Sequence, residues 1–379
     1  MSEISTEIVG SGFATVHSGR TGEFRFTIPV TSYSISWLLS GAGSCSATIQ
    51  INDELAGVNI QNRLKKWGTI ICVYRNDGQL DGAMIVKDRK YDFKTHKLSI
   101  TGADGWGLLG KRLIMNPALV HNWHDGDVLI DEDNPRPDWK STYTGSKADI
   151  ATKILHDSGS YGPWPYLYEQ YTGGSNTKTY DNWSPKYIDD AITDLINEQD
   201  GIEALFIPEI DYSTQQFKWM AQIANKVQLH TYQFVDGLPD NQWYFTDDSD
   251  LGGDIVNQVY GFGGKLDDKI VVARDTNDNV DSDMPLLQTV NTEHSTVSDV
   301  STLKRYMHGI MQLGRESQDS IGIAYNRLRY NIAPGDVISV KFIDPYFGVD
   351  NRTLNLRVLS TDWNTSNIGT LAAREVIGG

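Results

Sequence analysis

From Ser32 to about Gly110, apolar and polar residues alternate along most of the chain. In CSATIQI, Cys45, Ala47, Ile49 and Ile51 alternate with Ser46, Thr48 and Gln50, and a period of two buries one face of a strand. SYSISWLL precedes that run across a GAGS turn at Gly41 to Ser44. TIICVYR, AMIVKDRKYDF and KLSITGAD follow it, divided by the turn-forming segments NDGQLDG and KTHK. Sequential short strands with tight turns predict a small barrel or sandwich.

The period changes between about Gly145 and Gln222. SKADIATKILHDSG offers Ser146 as a cap, holds Asp149 near the positive end of a helix, and stops before Gly159. In the next helix Ser184 is the candidate cap and Pro185 fits the first turn. Ile188, Ala191, Ile192 and Leu195 then fall at i, i+3, i+4 and i+7 before Gly201. The strand-like runs IEALFIP and QFKWMAQI flank YSTQ, so two helices covering a short antiparallel sheet are expected, with Ile188, Ile192 and Leu195 against the sheet that carries Leu205 and Phe206.

Beyond Asp250 come the strand candidates IVNQVYGFGG and DKIVVAR, a polar acidic stretch, and a helix from about Val300 to Leu313. The runs APGDVISVKFID, TLNLRVLSTDW and GTLAAREVI complete the chain. These last runs echo the first β-region: WGTIICV from Trp67 matches PGDVISV from Pro334, and AMIVKDRKYDF shares its apolar spacing with LNLRVLSTDWN. Two related barrels with a helical insertion would explain the echo, and so would the alternation common to any two antiparallel sheets. On the first reading, Gly68 and Gly335 lead equivalently into strands Ile70–Val73 and Val337–Val340.

The 379 residues exceed the usual single-domain size, and 39% hydrophobic with 22% charged residues is an ordinary globular balance. Acidic residues outnumber basic ones by 49 to 33, a net charge of -16 that repels a phosphate backbone. General nucleic-acid binding is therefore disfavoured. Cys45 and Cys72 sit inside apolar runs as small hydrophobes, which leaves a single bridge between them open but gives no disulfide framework. MSEISTEIVGSGF lacks the layout of a secretion signal, and no run of about 18 apolar residues occurs. Synthesis in a cytoplasm without membrane spans is expected.

Catalytic chemistry is sparse. Glu169, Glu198, Glu203 and Glu209 lie in sequence among Trp164, Tyr166, Tyr168 and Trp183, a mixture found in sugar-processing clefts. No GxSxG elbow exists, and strand-interior cysteines would have raised thiol pKa values. HNWHDGD supplies His121, His124, Asp125 and Asp127 but lacks helical HExxH geometry, so a solvated loop is favoured. DTNDNVDSD places Asp275, Asn277, Asn279, Asp281 and Asp283 at alternate positions, as a calcium loop does. Val280 and Leu286 stand where that loop needs Gly and Glu, which favours a plain exposed loop. In YGFGGK, Gly261, Gly263 and Gly264 fit a strand end or bulge better than a phosphate loop.

SYSISWLLSGAGSCSATIQI, followed by WGTIICVYRNDGQLDGAMIVKDRKYDFKTHKLSITGADGWGLLGKRLI, resembles the minor tail proteins that form the baseplate or tail-tip hub of long-tailed phages. Trp37, Gly43, Ser44, Gly82, Gly102, Leu108, Leu109 and Arg112 occupy the places of that pattern. PGDVISVKFIDP with LNLRVLSTDW resembles the closing β-domain of the same hubs, whereas residues 116–180 fit poorly. The resemblance implies a mixed α+β, β-dominated fold with two related small β-barrel domains and an inserted α/β domain. Its parts would be an N-terminal arm (1–31), a first barrel (32–115), a linker (116–145), the inserted domain (146–248) and a second barrel with a helix (249–379). It also implies a non-enzymatic homotrimer at the virion tail tip, with no cofactor, that matches a hexameric tail tube and lines or closes the DNA channel. The implied neighbours are a distal tail or tail-tube protein, the tape measure protein, and tail-tip or receptor-binding proteins. Because Gly379 follows directly on the second β-region, an intrinsic lysin of the kind that extends some of these hubs is not expected. The rival reading is a tail-associated carbohydrate-binding or carbohydrate-cleaving module.

Overall fold

The computed structural model describes residues 12–52, 55, 57–123, 128–169, 173–234, 243–247, 256–277, 285–292, 294–295, 297–314, 319–342, 352–366 and 368–375. Its first elements correct the sequence reading. Residues 12–30, expected as part of an arm, form the hairpin β1 (Gly12–Ser18) and β2 (Phe24–Val30). Ala14, Val16, Ile28 and Val30 are buried, so these strands belong to a core. Gly22 turns the hairpin at φ 75°, and a Cβ there would lie 2.0 Å from the Phe217 carbonyl oxygen.

The alternating region supplies β3 (Ser32–Leu38), β4 (Ser44–Gln50), the single turn α1 (Ile60–Arg63), β5 (Thr69–Tyr74), β6 (Leu80–Asp92) and β7 (Lys97–Ala103). One face of all seven strands converges on a common core that includes Val16, Ile28, Ile35, Ile49, Ile71 and Met84. Cys45 and Cys72 are buried and free. Desolvation is the main cause that raises both thiols, so they pack as hydrophobes.

The next segment is α/β. It contains α2 (Gly105–Leu109), α3 (Pro117–Asn122), β8 (Lys140–Gly145), α4 (Lys147–Ser160), β9 (Tyr166–Tyr168), β10 (Asn176–Asp181), α5 (Ile188–Asn197), β11 (Glu203–Asp211) and β12 (Gln216–Ala224). Strands pair in the order β11-β12-β9, and β10 pairs with β8. Ser146 caps α4 by accepting from the Asp149 amide at 3.1 Å. The second cap differs from expectation: α5 begins after Tyr187, not Ser184. Tyr187 is held in a bridge with Leu113, and Lys186 accepts from the Ile114 amide at 2.9 Å, so this short segment is tied to the Leu113 segment before the helix can start. Ile188, Ile192 and Leu195 are fully buried in one cluster with Phe206, Phe217 and Trp219. Leu205, one residue out of phase with Phe206, lies outside that cluster.

The remaining elements are β13 (Thr231–Phe234), β14 (Trp243–Asp247), β15 (Gln258–Leu266), β16 (Lys269–Thr276), β17 (Gln288–Asn291), α6 (Val300–Gly314), β18 (Asp319–Asn326), β19 (Val337–Phe342), β20 (Arg352–Asn364) and β21 (Ile368–Glu375). Strands β16-β15-β17 make a separate sheet under α6, with Val259, Leu303 and Met307 in its core. Its register shifts between Phe262 and Lys265, at the glycines of YGFGGK. No described helix is long and apolar enough to cross a membrane.

The other strands form one sheet in the order β14-β18-β21-β20-β3-β4-β7-β6-β5-β1-β2, with β19 on β20 and β13 on β19. Two stretches of this order match. β3-β4-β7-β6-β5 and β14-β18-β21-β20-β19 have the same antiparallel connectivity. Both central strands, β6 and β20, have 13 residues. Each carries a bulge two residues past a matching pair: Ile70 opposes Ile85 before the shift between Val86 and Asp88, and Val337 opposes Arg357 before the shift between Val358 and Ser360. Superposed on their bulges, Ile70 falls on Val337 and Gly68 on Gly335. The two glycines differ in conformation: Gly335 has φ +93°, whereas at the first site the positive φ belongs to Trp67. No described strand pair closes either unit into a barrel.

Candidate functional site

The two units meet where β20 continues past its bulge. Ser360, Thr361, Asp362, Trp363 and Asn364 pair antiparallel with Leu38, Trp37, Ser36, Ile35 and Ser34 of β3. Beside this seam lies a buried ionic cluster. Asp81, 4% exposed, accepts at Oδ2 from Tyr33 Oη at 2.7 Å, Arg327 Nη1 at 2.9 Å and Trp363 Nε1 at 3.0 Å. Its Oδ1 pairs with Arg327 Nη2 at 2.7 Å. The two-point pairing with Arg327 is the strong form of this interaction. Arg327 stacks 4.1 Å over Trp363, and Trp363 meets Trp37 edge-on at 5.1 Å. Burial and the Asp81 carboxylate push the Tyr33 hydroxyl well above its ordinary pKa, so it stays a donor. Asp81 and Tyr33 come from the first unit, Arg327 and Trp363 from the second.

A second clasp ties the α/β layer to the second unit. Glu203 pairs with Arg357 through both oxygens and accepts from the Val227 amide at 2.7 Å. Arg357 also donates to the carbonyls of Gly335 at 2.7 Å and Val227 at 2.6 Å. Across the first unit, the Ser40 amide donates to Ala204 O at 2.8 Å and the Ala204 amide donates to Ser40 Oγ at 3.1 Å. Asp104 accepts from the amides of Gly43 at 2.8 Å and Gly107 at 3.2 Å, joining the GAGS turn to α2. Its burial outweighs these bonds and raises its carboxyl to about 6.

The carboxylates singled out for sugar chemistry do not gather with their aromatic neighbours. Glu198 and Glu203 line one groove of about 830 Å³ with Ser36 and His308, but none of Trp164, Tyr166, Tyr168 or Trp183 lines it. Glu198 is paired with Lys178 and with Lys147 at 3.4 Å, and Glu203 with Arg357. Glu169 and Glu209 are exposed. Tyr166 is buried and donates to the Gly105 carbonyl. Arg112 donates to the carbonyls of Ser158 and Gly162, both at 2.7 Å, and stacks 4.4 Å from Trp164, so it anchors the end of α4.

Of the calcium candidates, Asp275 Oδ2 lies 2.8 Å from His308 Nδ1, and the Asn277 amide donates to Asn257 O at 3.0 Å. Asn279, Asp281 and Asp283 lie outside the described residues, as do His124, Asp125 and Asp127, while His121 lies in the last turn of α3. Among the described residues no three His, Cys, Asp or Glu side chains cluster as metal ligands. In the sequence the Asp81 cluster leaves a single signal, an acidic residue between Leu80 and the apolar run beginning at Ala83.

No known family model matches the sequence, and no curated protein sequence matches it. Solved structures do. The 43 kDa tail protein of prophage MuSo2 from Shewanella oneidensis aligns over 95% of this chain and 97% of its own, with 12% identity and a TM-score of 0.52. A tail protein from Neisseria meningitidis aligns over 96% and 97%, with 13% identity and a TM-score of 0.49. A prophage tail protein from Listeria monocytogenes aligns over 97% and 95%, with 10% identity and a TM-score of 0.48. The fold of this chain is thus that of a phage tail protein, shared with the Shewanella prophage protein along nearly its whole length.

Proposed function

We propose that the chain is a structural virion protein of the baseplate or tail-tip hub of a long-tailed phage, built as a homotrimer. The observation that carries this reading is the duplication, register for register, of two five-stranded units joined in one sheet. Three copies would place six similar units around an axis, which suits a ring seated on a hexameric tube. The core shared by one face of all seven strands of the first unit supports a rolled, barrel-like shape for it. The whole-length likeness to the Shewanella prophage tail protein supports the setting.

In that setting the chain adapts symmetry, lines or closes the DNA channel, and carries neighbours such as the tail-tube, tape measure and receptor-binding proteins. The outer face of β15–β17 leaves Phe262, Ile270, Val272 and Val290 exposed, apolar area suited to such contacts. Because DNA passes a hub, a wall rich in Lys and Arg would hold phosphates by counterion release. The surplus of 16 negative charges lets a ring present an acidic wall. Mapping charge on the assembled ring tests this: more Asp and Glu than Lys and Arg in the lumen is expected, and a basic lumen or an evenly spread surplus contradicts it. The reading as a whole is tested by the assembly state of the purified chain, a closed ring of three being expected and a stable monomer refuting it.

A further inference from the structure

Residues 360–364 of β20 lie past the bulge, on the edge that β19 occupies before it, and their partner there is β3. The shared strand order and register make β6 equivalent to β20 and β14 equivalent to β3. The stretch of β6 equivalent to residues 360–364 is therefore Asp88–Asp92. It pairs with β7 on one edge, and no described strand pairs with the other. Asp88, Lys90 and Asp92 are exposed. Strand β14 pairs with β18 and ends the strand order on its other side. Each chain thus holds one completed junction and the two halves of a second, which are separated by six strands of the sheet.

We infer that Asp88–Asp92 of one copy pairs antiparallel with β14 of a second copy of this chain, repeating between copies the junction made within each. The inference rests on the ring reading and adds its surface and register. Carrying the register of the inner junction across puts Arg89 opposite Asp247, Lys90 opposite Thr246, Tyr91 opposite Phe245 and Asp92 opposite Tyr244. Tyr91 takes the place of Trp363, so an aromatic residue stands at the same point of both junctions. The contact joins unlike surfaces, β6 to β14, and a head-to-tail contact of this kind makes rings when its rotation closes. Open strand edges supply the backbone donors and acceptors for such pairing.

The test is a cysteine pair in the full chain, Lys90→Cys with Thr246→Cys, oxidised and run on non-reducing gels beside light scattering of the untreated protein. A covalent trimer that reduction abolishes is expected, absent from each single variant and strongly reduced when Thr246→Cys is replaced by Tyr244→Cys, which shifts the register by two. A trimer in solution that does not cross-link at this pair overturns the strand pairing and leaves the ring reading standing. A protein that is monomeric and does not cross-link overturns both. A cross-linked product of single-chain size places the pair within one copy and overturns the inference.

Discussion

At the scale of single residues, the structure invests its buried charge in joints. Asp81 and Arg327 bind the two units, so removing one partner leaves an uncompensated ion in a dry seam. Asp81→Leu should cost about 3–5 kcal/mol, and adding Arg327→Met should recover only the part due to the unpaired cation, because Tyr33 Oη and Trp363 Nε1 stay without their acceptor; urea unfolding of the two variants compares them directly. Asp104 behaves differently, because burial raises its carboxyl to about 6 from an ordinary 3.8. The folded state then holds the proton more tightly than the unfolded chain, so this group's contribution falls as pH rises from about 4 to 6 and is restored on acidification. The shift corresponds to about 3 kcal/mol. Asp104→Asn should remove that slope, visible as a wild-type minus variant stability difference that changes between pH 4 and pH 7. An unchanged difference would show that the carboxylate is not desolvated. Glycine gives a third comparison. Gly335→Ala forces a left-handed backbone and sets a Cβ 2.4 Å from the Val227 carbonyl oxygen, while at Gly68 the nearest atom is the Lys65 Cβ at 3.3 Å. Thermal unfolding should register a loss of at least about 1–2 kcal/mol at Gly335 and a far smaller change at Gly68.

Among the elements, α5 was legible because its stripe is strong: Ile188, Ile192 and Leu195 are spaced for one face and all are buried. Ile192→Asp should cost about 3–5 kcal/mol, and an unaltered melting temperature would remove the helix from the core. The start of α5 departs from the local signal: Ser184 and Pro185 suit a helix start, but the Ser184 amide closes a turn on the Asp181 carbonyl and Tyr187 is bridged to Leu113, so the helix begins only after it. Tertiary pairing of this kind leaves no mark in a short window of sequence. The hairpin β1–β2 was missed for a related reason. The strands lie before Ser32, where the sequence reading placed only an arm, and the pairing of β1 with β5 is what brings them into the core. The Asp81 cluster draws on residues from Tyr33 to Trp363, and no local pattern announces contacts of that separation. By contrast, the matching lead-ins at Gly68 and Gly335 could be suspected from WGTIICV and PGDVISV, because the same strand and turn chemistry recurs in the same order.

For the whole molecule, the doubled unit is the feature on which the proposed ring rests. The inner junction fixes how one unit sits on the next, and in the proposed ring the same junction would recur between copies without a second kind of contact. The most direct measurement is the symmetry of the purified full chain in electron micrographs. The account predicts rings of three chains in which six similar β units alternate around the axis. A population of monomers, or of twofold dimers joined through like surfaces, would contradict it.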